Sequence, residues 1–565
     1  MSKVLLTFLW VLGISAAFGQ TPTPVPEQRP DNLEGLPAIA PNFRSDERRF
    51  PDLARVGVDA TAMRPLSLGA ALELALVNNR DIEVSRKTIT MAEFDLRAAR
   101  GVYQPRLIGQ SFYERTTVPN VSIFSSNRTT TQGNFVGNAS LTGYYSPQGT
   151  VFGATFNNQR LTTDNPISIL SPQLNSNIGL SLTQPLFRGR RIDQNRRLIE
   201  IANRNIDLTE TQFRQRSIET VAGVQRAYWD LTFALRNLQV QRDGVRDARE
   251  QLEHNRRLVD EGQLAPIDIV AAETQVANFE QAVYEALNTV NAVENILKSL
   301  VAPNRTDRIW SESITPVEPV EVEVPTTTLP EAMETALANR PELEINSTQK
   351  AINNVDQRLF RDQTKPQIDF IASYSGTGVG GSQNPDFNPN FPTACSTAPT
   401  SPACAQQQSN LAALTGSPFG GIFSSRFPTF RIGVNINLPI FGDRTAKAQL
   451  GRSLVEAERI ETQREQIEQT VQLEVRNTLQ AIRTGEARLR SAAIARENSE
   501  RQYQSEQRKL DEGQSDVYRV LERQTALAVA RSNELRARTE LNKSIADLQR
   551  ATGNTLKANN IEAKR

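Results

Sequence analysis

One short motif occurs twice in the chain and decides how the rest of the sequence is divided. Residues 178–187 read IGLSLTQPLF, and residues 432–441 read IGVNINLPIF. In both copies apolar side chains alternate with Gly, Ser, Thr or Asn, which is the period-two pattern of a β-strand with one apolar and one polar face. Each copy ends in a proline followed by two apolar residues, so the strand is expected to end there. The motif predicts two related strands far apart in the chain.

Two further pairs of matching segments flank this motif. Before it, residues 68–81 match residues 329–342 without a gap. After it, Asp-Glu-Gly-Gln at 260–263 recurs unchanged at 511–514. Three landmarks in the same order predict two structural repeats within one chain.

The repeats divide the chain into segments, which we list from the N-terminus. They are a signal peptide (1–19), a proline-rich tail (20–65), the first repeat (66–303), a linker (304–327), the second repeat (328–553) and a C-terminal tail (554–565). The tail at 20–65 is expected to be an extended and poorly ordered linker because prolines recur along it. Each repeat is predicted to run helix, β segment, long helix, turn, helix.

The β segments are predicted at 106–187 and 367–441. Their strand signals come in pairs, namely Leu107–Val118 with Asn175–Leu186 and Ile368–Gly378 with Phe430–Leu438. A further hairpin at about 138–160 is plausible, but the sequence does not decide whether it joins the same sheet. On pattern alone, a half-buried strand of a soluble sheet explains the alternation somewhat better than a membrane strand does. Four strands are also too few to close a membrane barrel, which starts at 8, so closure would need several chains.

The helical parts of the repeats are unusually long. No proline interrupts Arg188–Glu261 or Gly442–Glu512, and a helix of about 70 residues would extend about 105 Å. Glycines near 262 and 513 are expected to turn the chain into returning helices at Ile267–Leu300 and Val517–Leu548. In the second long helix, apolar residues at gaps of three, four or seven, including Leu454, Val471 and Ile482, predict a coiled-coil seam.

The N-terminus and the cysteines point to an exported protein. Lys3 precedes the apolar run Val4–Phe18, and small residues flank position 18, which is typical of a secretory signal peptide rather than a membrane anchor. Cys395 and Cys404 are then expected to form a disulfide, with free thiols as the alternative.

Composition excludes several function classes. The 565 residues include one histidine, His254, and two cysteines, so zinc sites and Cys/His or Ser-His-Asp catalysis are disfavoured and no cofactor is expected. Lys+Arg (64) and Asp+Glu (63) nearly cancel, so a nucleic-acid partner is not expected. A mean hydropathy of −0.44 and the lack of a run of about 20 apolar residues after the signal peptide exclude a polytopic helical membrane protein. A β-barrel remains possible, because its strands alternate apolar and polar residues and so contain no long apolar run.

The doubled plan resembles the TolC family of outer-membrane efflux channels over roughly residues 66–553. The resemblance implies an α+β membrane protein in which three identical chains share a transmembrane β-barrel and build a long α-helical coiled-coil tunnel. It implies location in the cell outer membrane with an extension into the periplasm, contact with outer-membrane lipid, and no enzymatic activity. Its expected partners are a periplasmic adaptor (membrane fusion) protein and an inner-membrane transporter of RND, ABC or MFS type, in tripartite efflux or type I secretion.

The resemblance also implies roles for individual residues. Crossings between tunnel and barrel are expected at four prolines: Pro105, Pro185, Pro366 and Pro439. The periplasmic tip and gate are expected at five residues: Gly262, Asp268, Gly513, Arg519 and Glu522. In the family, carboxylates often form a constricting ring at the positions of Arg519 and Glu522. One of these two positions, Arg519, is therefore basic in this chain where the family is often acidic. Arg519 is expected to pair with Glu522 or Asp268, and ordinary surface charge remains the simpler alternative.

Two other functions compete with the channel. A periplasmic coiled-coil adaptor or structural protein would explain the signal peptide and the helices, but would leave the matched strands without a purpose. An exported carboxylate hydrolase would need two acids that converge in a pocket, and extended helical hairpins offer none.

Overall fold

The computed structural model describes residues 53–120, 128–319, 324–387, 394–424, 426–440 and 442–562. The predicted signal peptide and the first part of the proline-rich tail lie outside these residues. The described strands are β1 Asp59–Leu66, β2 Arg106–Pro119, β3 Thr129–Tyr145, β4 Thr150–Thr163, β5 Leu170–Pro185, β6 Glu312–Pro316, β7 Gln367–Gln383 and β8 Phe427–Asn437. The described helices are α1 Leu68–Asn78, α2 Arg80–Arg100, α3 Gln194–Asp260, α4 Pro266–Val301, α5 Leu329–Asn339, α6 Pro341–Gln363, α7 Ala394–Thr397, α8 Pro402–Leu414, α9 Pro418–Phe423, α10 Arg444–Asp511, α11 Val517–Ala551 and α12 Thr555–Ala558.

Among the helices of these ranges, none has a stretch that is both long and apolar enough to cross a membrane.

The main sheet of the described residues has six antiparallel strands in the order β2-β3-β4-β5-β7-β8. The sheet therefore has two strands beyond the four with paired sequence signals, because the hairpin at about 138–160, whose place the sequence left open, is part of β3 and β4 and lies between β2 and β5. Its sequence alternates as the other strands do, and its two strands are joined by a turn at residues 146–149 with Gly149 at φ +69°. A positive φ is readily adopted by glycine, so this turn can be tight.

The register gives the sheet one apolar and one polar face. One row of neighbouring residues crosses all of the described strands of this sheet: Leu107, Leu141, Ala154, Leu180, Tyr374 and Phe430. A row on the opposite face consists of Gln110, Asn138, Asn157, Asn177 and Thr377. Successive residues of a strand point to opposite faces, so these two rows lie on opposite sides of the sheet, although the polar row ends at Phe427 of β8 and Asn158 and Arg160 lie on the mainly apolar face.

Below the sheet, four helices lie side by side in the order α2, α3, α6 and α10. Ile82 and Ile89 of α2 pack against Phe213 of α3. On the other side, the Asn346 Nδ2 of α6 donates to the Ile460 carbonyl of α10 at 3.1 Å. Within the described chain, α2 and α10 are therefore the outer members of this layer, as β2 and β8 are the outer strands of the sheet.

The long helices turn back on their partners as two hairpins, α3 with α4 and α10 with α11. Helix α3 has 67 residues and α10 has 68, while α4 and α11 have 36 and 35. The hairpins pack against each other chiefly through α11 and α3.

The single helix predicted at the start of the first repeat is broken at Asn79 into α1 and α2. This residue has an extended backbone (φ −64°, ψ 127°), and its side chain accepts hydrogen bonds from the amides of Asp81 and Ile82. Its Nδ2 also donates to the Leu300 carbonyl at the end of α4. Apolar periodicity continues across the break, which is why the sequence pattern did not show it.

The tail is ordered where the structure describes it, contrary to the prediction of a poorly ordered linker up to residue 65. Strand β1 pairs in parallel with β6, which lies in the predicted linker at 304–327. Arg55 forms an ion pair with the buried carboxylate of Glu294, which also accepts from the Ile314 amide at 2.6 Å and lies 3.4 Å from the Lys298 ammonium. A buried charge is stable only when it is paired in this way.

We expect Gly513→Ala to weaken the turn after α10. Gly513 has φ +71° and an added Cβ would meet no atom within 4 Å, so the cost, about 1 kcal/mol, comes from the backbone alone. Amides on either side of the turn should then exchange with deuterium about fivefold faster. Gly223→Ala is the matched control, because Gly223 lies inside α3 with equally open surroundings and alanine favours a helix. Equal effects of both substitutions would contradict the assignment.

Candidate functional site

The two hairpin tips have the same local construction. After α3, the Gly262 amide donates to the Val259 carbonyl at 2.9 Å and the next amide donates to Leu258 at 2.8 Å. After α10, Gly513 donates to Leu510 at 2.9 Å, and the next amide donates to Lys509 at 2.8 Å. These bonds satisfy the last carbonyls of each helix, and the positive φ of both glycines reverses the chain.

Each returning helix begins with an aspartate that caps its first turn. Asp268 accepts a hydrogen bond from the Ala265 amide at 3.2 Å, and Pro266 occupies the first turn. In the second hairpin, Asp516 accepts from the Arg519 amide at 2.9 Å. A carboxylate at a helix N-terminus is favoured by the helix dipole, so both aspartates are held in place by the turn.

The structure places Arg519 beside Asp516 rather than beside Asp268 or Glu522. The Arg519 Nε lies 3.3 Å from the Asp516 Oδ2, and both side chains are exposed. Within this chain Arg519 therefore pairs with Asp516, and not with Glu522 or Asp268 as expected from the sequence. Asp516 is already fixed by its capping bond one turn before Arg519, which makes it the nearer anion. Glu522 is exposed on the same helix.

The tips of the two hairpins are joined by a small apolar cluster. Its buried members come from the second hairpin and are Leu510, Val517, Val520 and Leu521. Leu264 and Ala271 of the first hairpin pack against them, together with Tyr503. Burial raises the pKa of Tyr503 to about 12, so this side chain is a neutral phenol at physiological pH.

A polar cleft of about 430 Å³ lies next to this cluster, between α3, α10 and α11. At its edge the His254 Nε2 of α3 lies 3.1 Å from the Asp511 Oδ1 of α10, without hydrogen-bond geometry between them. Only 32% of the His254 side chain is exposed, so this residue is partly buried between the hairpins.

Further polar contacts connect the two hairpins along their length. Gln275 donates to Thr525 at 2.7 Å, and Ser532 donates to Asn237 at 2.7 Å. Nearer the β1–β6 region, Lys543 donates to Asp230 at 2.7 Å. Sequence reasoning missed these pairs, because the partners lie far apart in the chain and no spacing rule connects them.

The four prolines lie at the borders between helices and sheet. Pro105 directly precedes β2 and Pro366 directly precedes β7, whereas Pro185 is the last residue of β5 and Pro439 follows β8. The border is tied together by side chains: the Gly189 amide donates to the Asp362 carboxylate at 2.6 Å.

At the far end of the sheet, the segment between β7 and β8 folds back as α7, α8 and α9. Cys395 and Cys404 form a disulfide between α7 and α8. Helix α9 rests on β7 so closely that a Cβ at Gly378 would overlap the Pro418 carbonyl. In the residues that the structure describes, no group of three or more His, Cys, Asp or Glu side chains is placed to hold a metal ion.

Comparison with known proteins agrees with this architecture. A sequence profile of the outer membrane efflux protein family matches residues 151–302 and 332–554, which is more than half of the chain. The chain belongs to the outer membrane efflux protein family. Members of this family lie in the outer membrane and extend into the periplasm, and we assign this chain to the same location.

Three solved structures illustrate the similarity of fold. CusC matches with a TM-score of 0.59 and 15% identity over 86% of this chain and 92% of that chain. The Campylobacter jejuni outer membrane channel CmeC matches with a TM-score of 0.59 and 17% identity over 86% of each chain. The outer-membrane channel OprN matches with a TM-score of 0.59 and 15% identity over 91% of this chain and 98% of that chain. No curated protein sequence matches significantly.

We expect Asp511→Asn to loosen the tips of this outer membrane efflux protein, because it removes the charge that faces His254. A partly exposed link of this kind is worth up to about 1 kcal/mol. Tryptic cleavage after Arg508 and Lys509, at the end of α10, should become two- to fivefold faster, roughly as that free energy allows. Glu512→Gln removes the neighbouring exposed carboxylate and is the control for trypsin's own preferences. If it speeds cleavage equally, His254 does not hold the tips together.

Proposed function

We propose that three copies of this chain form the passive exit duct of a tripartite efflux or type I secretion system. The observation that carries the proposal is a pair of free lateral edges. In the described chain, β2 and α2 form one edge, and β8 and α10 form the other. Both belong to an elongated wall with one apolar sheet face, which suits a shared structure better than a single globular unit.

The sheet edges need partners. Every residue of β2 is exposed in the single chain, and β8 is exposed except at Gly433, which is half-buried. In lipid, an unpaired strand edge would leave backbone amides and carbonyls without hydrogen bonds, at several kcal/mol for each group. Copies that pair β8 of one chain with β2 of the next would remove both edges at once.

The helical edges carry apolar side chains as well. On α2, Val84, Met91 and Phe94 are 64%, 65% and 57% exposed, and on α10, Val455 and Leu473 are 63% and 60% exposed. Leu454, which the sequence assigned to a coiled-coil seam, is 44% exposed within the chain. Contact between α10 of one copy and α2 of the next would bury these residues, so the helices support the same arrangement as the strands.

The number three rests on the family resemblance, which implies a trimer with a shared transmembrane β-barrel above a helical tunnel. The face with Leu180 and Tyr374, part of which α9 covers through Phe419 on Phe156 and Pro418 at Gly378, would then be turned outward, and the polar row through Asn157 and Asn177 would line the lumen. A periplasmic coiled-coil adaptor is disfavoured, because such a protein would have no use for an exposed apolar sheet face.

The tip residues would form the gate of this duct. In a trimer the turns at Gly262 and Gly513 lie at the periplasmic mouth, where a periplasmic adaptor and an inner-membrane transporter would dock. Opening would require the tips to separate, which breaks the contacts between the hairpins, such as His254 with Asp511. The four prolines mark the crossings from the tunnel to the barrel, to which the first repeat supplies four strands and the second supplies two.

The mass of the detergent-extracted protein by light scattering, with single-channel recording in a planar bilayer, tests the proposal. We expect three chains per particle and discrete conductance steps. A monomer or dimer that stays soluble without detergent and gives no conductance would overturn the duct and favour the adaptor.

We expect Arg519→Asp to shift the ion preference of the channel towards cations. Arg519 is 65% exposed at the tip, and three copies would form a ring of positive charge partly compensated by Asp516. The reversal potential across a KCl gradient measures the shift. Arg501→Asp makes the same charge change on α10, away from the turn, where Arg501 is 72% exposed. An equal shift from both variants would exclude a local ring at Arg519.

A further inference from the structure

The sheet has more strands than the helical layer beneath it has helices. In the described chain, β2 continues α2, β5 leads to α3, β7 continues α6, and β8 leads to α10. The β3–β4 hairpin has no helix below it, and its strands are joined directly at residues 146–149. Each chain therefore offers six strands above four helices, two strands more than the family resemblance implies.

The β3–β4 hairpin is a full member of the sheet. Strand β3 pairs with β2 from Thr129 to Thr142 and with β4 from Gln132 to Tyr145, without a register shift. The apolar row passes through it at Leu141 and Ala154, and the polar row passes through Asn138 and Asn157. Its strands thus have the same two faces as the others, which a hairpin lying outside a membrane wall would not require.

The turn of this hairpin is held by the border between sheet and helices. Gln184 at the end of β5 donates to the Gln148 carbonyl at 3.1 Å and accepts from the Thr150 hydroxyl. Arg196 in the first turn of α3 reaches the Pro147 carbonyl at 3.4 Å. Space for the turn is tight, since a Cβ on Gly149 would lie 2.7 Å from the Gly189 carbonyl oxygen. The hairpin is therefore fixed at the same level as the other strand ends.

The two outer strands suit each other as partners. All neighbours in this sheet are antiparallel, so six strands leave β2 and β8 running in opposite directions. An antiparallel contact between β8 of one copy and β2 of the next continues the same pattern. Three copies then form a closed sheet in which neighbouring strands are antiparallel at every junction between chains.

We propose that the trimer encloses a barrel of 18 strands, six from each chain, above a ring of 12 helices. This inference rests on the proposed function and specifies the pore that it builds. A closed sheet of 18 strands, spaced about 4.8 Å and tilted about 40°, has a circumference of about 110 Å. Twelve helices at interaxial distances of 8–10 Å give roughly 100–120 Å. The two circumferences are similar, so a barrel of 18 strands can continue a ring of 12 helices.

Electron cryo-microscopy of the full-length protein in lipid nanodiscs tests the proposal by counting strands in the barrel wall. We expect three copies and 18 strands. A trimer whose wall has 12 strands, with β3 and β4 outside it, would overturn this inference and leave the proposed duct intact. A particle that is not a trimer would overturn the proposed function itself.

Cysteine accessibility gives a second readout that does not depend on imaging. Asn138→Cys and Phe135→Cys place thiols on opposite faces of β3, and the two native cysteines are already paired in a disulfide. In the reconstituted trimer, a water-soluble maleimide should label N138C at least tenfold faster than F135C, because one position faces the lumen and the other faces lipid. Equal labelling of both would contradict a place for the hairpin in the wall.

Deletion of residues 120–169 provides a matched variant. The deletion removes β3 and β4 together with their far-end loops and leaves β2 to connect to β5 at that end. If it assembles as a trimer, we expect its wall to have 12 strands, and neutral polymers added from the outer side should be excluded from its lumen at a smaller size than in the wild type. An unchanged exclusion size would contradict the proposal.

Discussion

The structure depends on the hydrogen-bonding groups at the two free edges of its sheet. A β-strand at the edge of a sheet presents unpaired amides and carbonyls, and a membrane offers them no water. In this chain β2 and β8 are such edges, and α2 and α10 continue the same two edges below. In one copy, the sheet and the helical layer of the described residues both end in edges that have no neighbour. Closure between copies, as proposed above, would satisfy both, and assembly and the formation of a pore would then be a single step.

The helical hairpins have a different balance of forces. At the tips, a small apolar cluster around Leu510 and Val520 holds the hairpins together, and polar contacts such as Gln275 with Thr525 lie beside it. Partly exposed polar pairs contribute little each. Away from the tips, the buried network around Glu294 and Lys298 stabilises the other end of the first hairpin.

The sequence predicted the plan of the fold but not its details. Matched motifs, prolines and glycine turns are local signals, so the long helices and the borders at Pro105 and Pro366 could be anticipated. The break at Asn79 could not, because it depends on the side chain's bonds to the next turn and to the end of α4. The strand count was left open for a related reason. Alternation showed that residues 138–160 could form strands, but only the pairing with β2 and β5 places them in the sheet.

The candidate site was harder to predict than the fold. The turns around Gly262 and Gly513 follow from glycine and its capping pattern, whereas the partner of Arg519 does not follow from spacing, since Asp516 and Glu522 are both three residues away. The position of His254 opposite Asp511 could not be predicted either, because Asp511 lies on the other hairpin. Contacts between elements that are distant in sequence carry no signal in a single chain, and these are the contacts on which a gate would depend.

The central claim is that α2 of one copy meets α10 of the next. Photo-crosslinking from a benzoylphenylalanine at position 94 tests it most directly, since Phe94 lies on the free edge of α2 and is 57% exposed. The account expects crosslinked species of two and three chains and no more, with the crosslinked peptides coming from α10. Crosslinks from α2 to α2, or a chain that stays monomeric, would contradict it.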